Sequence, residues 1–377
     1  MSTWNLDALL EDTPWQGVPE PDFLDWRWQV RNRITTFEEL TQLYKLRSQD
    51  QESFVRAGNT FRFATTPYYA ALSNKADEDC PIRKQIVPTE QETLITIGER
   101  GDPLGEEELE AAPNLIHRYE DRALLLVTDR CPVYCRFCTR RRIVGRVEEQ
   151  STRALLGDAF DYIRKTSCIR EVILSGGDAL MLGDNQIDFI LRELRSIPHV
   201  EIIRIATRMP VTCPMRITEK LSAIIKKYSP VYVMTHFNHI NECTRFARLA
   251  CQRLVDNGVI VYNQSVLLKG VNDTVDAIRD LNRWLVRQRV TPYYLHQCDM
   301  AEGIEHFRTP LQTGIGIIEG LRGHMSGLAV PQLCVDVPGG LGKVTVQPSW
   351  IVNREGNQIR FRTYRGETAD YFDPIGP

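Results

Sequence analysis

The chain has 377 residues, 42% hydrophobic and 25% charged, which suits one large soluble globular domain or two with a sizeable core. A net charge of −3 gives no basis for nucleic-acid binding, and no apolar run reaches the roughly 18 to 20 residues that a membrane span needs. The first residues, MSTWNLDALLEDTPWQG, are acidic and lack the basic-then-apolar order of a secretory signal. Ten cysteines in a long, unexported chain read as mostly reduced thiols, so the expected location is cytoplasmic.

Residues 1–60 carry aromatic and charged residues at helical spacing, as in Phe23 to Val30, and predict a helical arm. From Asn59 to Pro113 the chain is polar and broken by Pro67, Pro81, Pro88 and Pro103. Regular alternation follows. Strand-like runs lie at Ala123–Thr128, Glu171–Ser175, Glu201–Thr207, Pro230–Thr235, Val259–Leu267 and Thr291–His296. Amphipathic stretches separate them at Ala154–Lys165, Ile187–Arg195, Ile217–Tyr228, Thr244–Asn257 and Val275–Gln288. Six βα units predict an α/β fold, a partial (β/α)6 TIM-like barrel, with chemistry at the C-terminal ends of the strands. The expected division is an arm and linker over 1–113, the barrel over 114–300 and a C-terminal region over 301–377.

Three features fall at such positions. The run CPVYCRFCTRRR places Cys131, Cys135 and Cys138 in a CxxxCxxC loop directly after the first strand. Three thiolates can hold three irons of a [4Fe–4S] cube and leave the fourth iron open. Zinc knuckles space their thiols in CxxC pairs with a fourth ligand near, and no fourth Cys or His follows within the next turn. The basic run Arg140 to Arg142 beside the loop reads as a local anion site. The second strand ends in Ser175-Gly176-Gly177-Asp178, where two glycines allow close approach of a ligand and leave amides free to bind it; simple turn chemistry is the other reading. Near the C-terminus, Asp336 to Lys343 reads DVPGGLGK, and the Walker spacing fails at both ends. A glycine-flanked lysine is either a surface turn or the Schiff-base lysine of pyridoxal phosphate. Arg118, Tyr119 and Arg122, entering the first strand, favour the second reading, because two guanidiniums and a phenol can bind a phosphate dianion.

Together these motifs resemble the lysine 2,3-aminomutase family, radical S-adenosylmethionine (SAM) enzymes that also use pyridoxal phosphate. The resemblance runs from DWRWQVRNRI (Asp25–Ile34) through LIHRYEDR (Leu115–Arg122), ILSGGD (Ile173–Asp178), YLHQCD (Tyr294–Asp299), EHFRTP (Glu305–Pro310) and EGLRGHMSG (Glu319–Gly327) to VDVPGGLGK (Val335–Lys343). It implies a cluster on Cys131, Cys135 and Cys138, with SAM held by Ser175, Gly176, Gly177 and Asp178 and lying near His236 and Gln264. It implies Lys343 as the pyridoxal lysine and Arg118, Tyr119 and Arg122 as its phosphate set. Arg140 would take the substrate α-carboxylate, and Asp299 with Asp336 the side-chain ammonium.

The implied activity is interconversion of L-lysine and β-lysine. The same chemistry on arginine or another basic amino acid stays open, since two carboxylates suit either cation, as does β-lysine supply for translation-factor modification. An external donor of flavodoxin or ferredoxin type and a homo-oligomer are the expected partners, with no nucleic acid or membrane. Two departures stand out: Leu341 in place of a loop glycine, and Phe137 where histidine is common. The cysteine-rich tail that carries zinc in longer members is not part of this sequence, so the resemblance assigns no zinc ligand.

Overall fold

The computed structural model describes residues 6–46, 48–146 and 156–374. Two short strands, β1 (Glu110–Ala112) and β2 (Leu115–Tyr119), lead antiparallel into β3 (Arg122–Thr128). Five further strands lie parallel in chain order: β4 (Glu171–Gly176), β5 (Ile202–Ala206), β6 (Val231–Thr235), β7 (Ile260–Leu267) and β8 (Thr291–Gln297). Each expected run from β3 to β8 is found within one residue at either end. The array then goes further than six units. β9 (Gln332–Val337) adds a seventh parallel strand beside β8, and β10 (Gly342–Val346) returns antiparallel to it. All ten strands form one sheet in the order β1 to β10, and its two edges share no ladder.

The arm ends in the long helix α1 (Ser48–Thr60), and two short ones, α2 (Pro67–Ala71) and α3 (Pro81–Ile86), lie within the polar segment. The arm before them is a series of short turns rather than one helix. Glu20–Phe23 and Trp26–Arg31 are separated because Asp25 caps the second, accepting from Arg27 N at 2.9 Å. The crossover helices are α4 (Gly157–Lys165), α5 (Asp184–Arg195), α6 (Glu219–Lys227), α7 (Arg245–Asp256) and α8 (Val275–Arg287), with α9 (Leu311–Leu321) before β9. Ala154 and Leu155, expected to start α4, lie outside the described residues. Thr218, Thr244 and Thr274 cap α6, α7 and α8 through their hydroxyls. Buried residues recur at helical spacing, as Ile187, Ile190, Leu191 and Leu194 do in α5.

Strand alternation divides the barrel chemically. One face presents Val172, Leu174, Ile203, Ile205, Val231, Val233 and Val261, all buried in the core under the helices. The other face presents Ile173, Ser175, Arg204, Ala206, Met234, Gln264, Tyr294, Cys334 and Asp336 to an interior cavity. The interior is therefore a chamber of mixed lining, with charged groups set among apolar ones, and most of the apolar burial lies outside it under the helices. The arm shares that core, since Phe23, Tyr44, Phe63 and Tyr68 belong to the same cluster. A separate antiparallel sheet, β11 (Ile351–Glu355), β12 (Gln358–Arg362) and β13 (Thr368–Phe372), follows and is tied to α9 by Arg362–Glu319 at 2.6 Å. No helix among the described residues is long and apolar enough to cross a membrane.

Candidate active site

The loop after β3 carries the three cysteines, and it is nailed down by the residue between two of them. Arg136 is fully buried; Nε and Nη2 donate to Glu92 at 2.9 and 2.6 Å, and Nη1 to the Arg62 carbonyl at 2.8 Å. Its backbone N donates to the Gln85 carbonyl at 3.0 Å, and Cys138 N closes a turn onto Cys135 O at 3.0 Å. The thiols are free of disulfides. Burial pushes Cys138 up to about 11 and Cys131 well above its ordinary range, and each lies within electrostatic reach of the other thiols. Bare thiolates are thus disfavoured there, as at the buried Cys213 and Cys251, and it is the placing of three thiols on one loop, not this shift, that suits a metal guest. Among the described residues, no three His, Cys, Asp or Glu side chains converge on a single ion. A cluster of several irons is a wider guest than one ion, and three thiols on one loop fit it.

The arginines beside the loop are paired with acids rather than standing as a free anion site, and of the three only Arg140 lines the interior cavity of the barrel. Arg140 meets Glu106 through Nε at 3.0 Å and Nη2 at 2.7 Å, with Nη1 on Ser175 Oγ at 3.0 Å. Arg141 pairs with Glu92, and Arg142 with Asp102, Glu106 and Glu107. The acids come from one preceding segment, Glu92 to Glu107, so the run is neutralised within the fold.

The glycines after β4 also serve a different close approach from the one predicted. A Cβ on Gly176 would stand 2.2 Å from Thr128 O, and one on Gly177 2.3 Å from Arg130 O. Gly177 N donates to Thr128 O at 2.6 Å and Asp178 N to Arg130 O at 2.9 Å. The Gly177 and Asp178 amides are spent on the end of β3 and the start of the cluster loop, against which the β4 turn packs. Asp178 is buried and accepts from Thr207 Oγ1 and Arg208 N, both at 2.6 Å, and from Leu180 N at 3.0 Å. It joins the ends of β4 and β5. His236 follows β6, its Nε2 donating to Asn238 Oδ1 at 3.1 Å, with its ring 5.6 Å from Phe137; burial pulls it well below its ordinary pKa, so it is neutral at pH 7.

The cavity, about 380 Å3, lies inside the barrel, reaching from the start of β3 past mid-strand residues of β4, β5, β7 and β8, and is lined by Arg118, Tyr119, Arg122, Arg140, Ser175, Gln264, Asp336 and Lys343, among others. Register explains the last pair. Asp336 and Lys343 are cross-strand partners of β9 and β10, hence on one face, and their carboxylate and ammonium are in contact. Arg118 reaches the other oxygen of Asp336 at 3.4 Å and the Leu104 carbonyl at 2.5 Å. Tyr119 Oη accepts from Lys343 N at 3.0 Å, and Arg122 stacks over the Tyr119 ring at 4.4 Å. Side chains of β2 therefore bridge to β10 where no ladder does. Asp299 sits beyond β8, close enough for Asp336 to add to the burial that pushes it up to about 7. Asp336 stays below the usual carboxylate range although burial opposes this, because His296 and Lys343 face it.

These features can be set beside known proteins. Residues 125–281 match the Radical SAM superfamily, and residues 318–376 match the family described as Lysine-2,3-aminomutase. An L-lysine 2,3-aminomutase of Clostridium subterminale is 48% identical over 360 residues, covering 96% of this chain and 86% of that protein. The chain belongs to the lysine 2,3-aminomutase family. Another L-lysine 2,3-aminomutase, from Acetoanaerobium sticklandii, is 46% identical over 365 residues (97% of this chain, 88% of that protein). A glutamate 2,3-aminomutase of Clostridioides difficile is 40% identical over 354 residues (94% and 84%). This family member is a radical SAM aminomutase, an isomerase, and that membership implies a [4Fe–4S] cluster and SAM. The family has members named for lysine and for glutamate, so membership alone leaves the substrate to the residues. Sequence reasoning missed Glu106, Arg208, Glu242 and His296. Only the acidic run GEEELE, opposite in charge to Arg140–Arg142, offered a signal for any of them.

Proposed function

We propose that this aminomutase interconverts L-lysine and β-lysine, exchanging the α-amino group with a hydrogen on C3. The observation that carries the reading is the seat of Lys343: its ammonium rests on Asp336, with Asp299 near, in the chamber that also holds Arg140. A lysine ammonium is already the cation this acidic end receives. A glutamate side chain there would meet two carboxylates, at a cost that grows in a water-poor cavity.

In this reading Cys131, Cys135 and Cys138 hold the cluster, and Ser175, Gly176, Gly177, Asp178, His236 and Gln264 surround SAM. Lys343 holds pyridoxal phosphate, with Arg118, Tyr119 and Arg122 at its phosphate. When bound, the cluster and SAM supply reversible hydrogen-atom abstraction, and pyridoxal phosphate supplies an aromatic carrier for the migrating amine. The chain's own part is positioning. Arg140, its guanidinium plane fixed by Glu106 and Ser175, takes the α-carboxylate. Asp299 and Asp336 take the far ammonium, so the substrate is held at both ends and C3 has one place to lie. Asp336 must first release Lys343, which couples loading of the lysine loop to opening of the substrate site. Electrons come from a donor of flavodoxin or ferredoxin type.

The test is anaerobic turnover of lysine, arginine, ornithine and glutamate by the parent and by Asp299→Ala. Lysine preferred by the parent, with kcat/KM for lysine falling roughly tenfold to over a hundredfold in the variant, supports the reading; that range is the loss of a charge-assisted contact, about 1.5 to 3 kcal/mol. A parent that prefers glutamate or arginine refutes it.

A further inference from the structure

At the end of β5, Arg208 points into the cluster loop. Its Nη1 donates to Cys135 Sγ at 2.7 Å, a direct contact between a guanidinium and one of the three thiols. The rest of the side chain is held on all sides. Nε donates to the His236 carbonyl at 3.1 Å; Nη2 donates to Glu242 at 2.8 Å, Gln85 Oε1 at 2.5 Å and Tyr69 Oη at 3.0 Å. The guanidinium stacks 5.3 Å from both the Tyr69 and Phe137 rings and is 8% exposed. Glu242 is fully buried and shares its charge among Arg208, Tyr69 Oη, Gln85 Nε2 and the backbone N of Asn238 and His239. Two consequences follow. The cation cannot turn away from Cys135, and its counter-charge lies on the far edge of the guanidinium, spread over five donors. At the thiol, the near N–H outweighs the distant carboxylate.

We propose that Arg208 is a positioning residue that raises the electron affinity of the iron–sulfur cluster through its charge-assisted hydrogen bond to Cys135, with Glu242 as the counterweight that limits the effect. The inference rests on cluster ligation by Cys131, Cys135 and Cys138. Hydrogen bonds to cluster sulfurs and nearby charge set the reduction potential of such a centre. Taking up one electron makes the cluster more negative with no proton required, so a fixed N–H donor at a ligand sulfur favours the reduced form. Arg208 contributes no atom to the reaction; it acts through Cys135.

The experiment uses full-length protein reconstituted anaerobically, without SAM, and titrated with dithionite through mediators while EPR reports the reduced cluster. At a fixed ambient potential, Arg208→Gln should lower the reduced-to-oxidised ratio at least tenfold, about 59 mV for one electron. Glu242→Gln, which removes the counter-charge and keeps the shape, should move the ratio the other way. Equal midpoints in parent and Arg208→Gln overturn the proposal. So does an unchanged midpoint with weakened SAM binding, which would give the guanidinium to the carboxylate of that cofactor instead. Because both substitutions fall in a buried network, parent protein labelled with 15N-arginine provides a reading that needs no variant. Pulsed EPR of its reduced cluster should show a 15N coupling in addition to that of the Arg140 backbone N at Cys138, and the absence of this second coupling also overturns the proposal. A parent that takes up no iron refutes the ligation itself, a separate failure visible in the metal content.

Discussion

Asp299 and Asp336 lie within electrostatic reach of each other and hold protons with opposite strength, and the difference decides how the site answers to pH. Asp336 faces His296 and Lys343 and remains ionised across the neutral range, while Asp299, raised to about 7 by burial and by Asp336, is half-protonated there. A protonated Asp299 offers no charge to a cationic substrate. With Asp336, Lys343, Arg118 and Arg140 as the charged groups around it, kcat/KM for lysine should fall as pH drops below about 7, approaching tenfold per pH unit, and level off above it. A profile flat from about pH 6 to 8 would mean that Asp299 does not meet the substrate. Two further outcomes belong to single residues. Cys131→Ala, Cys135→Ala or Cys138→Ala should each abolish turnover and lower iron content, whereas Cys168→Ala, at an exposed thiol, should keep both. Borohydride treatment of the holoenzyme should fix the pyridoxyl group on the Lys343 peptide; recovery on Lys269 would show the loop misread. The ligand-type residues were legible because spacing exposes them. Their partners were not, since Glu92, Glu106, Arg208 and Glu242 are ordinary charges in sequence and acquire meaning only when distant segments meet.

At the level of elements, apolar runs and helical periodicity were enough to place six strands and five helices, because in a buried parallel array each element must hide one face. What escaped was the hairpin that ends the sheet. VDVPGGLGK read as a glycine loop, although its flanks are the strands β9 and β10 and its turn needs Gly339 and Gly340 at φ +79° and +77°. β9 buries Leu333 on one face but leaves Val335 and Val337 half-buried, and its other face carries Asp336, which broke the apolar signal. The hairpin brings Lys343 across the gap to Tyr119, and that bond, with Arg118–Asp336 beside it, joins β2 to the β9–β10 hairpin. Tyr119→Phe removes the acceptor and leaves the Lys343 N–H without it, a cost of about 1 kcal/mol. Retention of pyridoxal phosphate should weaken about tenfold or somewhat less, read by dialysis and absorbance. Unchanged retention would mean that β10 keeps its place without this contact.

Over the whole molecule, the cluster loop is held by the arm and linker, which the sequence had suggested as a separate region. Arg136 makes the connection. Its side chain is fully buried with that of Glu92, stacks 4.9 Å from the Phe61 ring and caps the carbonyls at the end of α1, while its own N–H is bound by Gln85 of α3. Truncating one member of a buried pair strands the other, typically at 3–5 kcal/mol, because the remaining charge keeps its desolvation cost and loses its partner. Glu92 would retain Arg141, which puts the expected loss for Arg136→Met near the lower end, about 3 kcal/mol. Both proteins should be compared without cofactors by urea unfolding, where an equal slope with a lower midpoint isolates stability. The same variant should take up less iron on reconstitution, since its backbone lies between Cys135 and Cys138. Arg136→Met paired with Glu92→Leu should recover only part of the stability, since the apolar pair strands no charge of its own but takes the carboxylate partner from Arg141, and it should not recover the iron, because the carbonyls of Phe61 and Arg62 would still lack their donor and the loop its anchor. Recovery of both would show that this buried pair serves stability alone and that the cluster loop finds its shape without it.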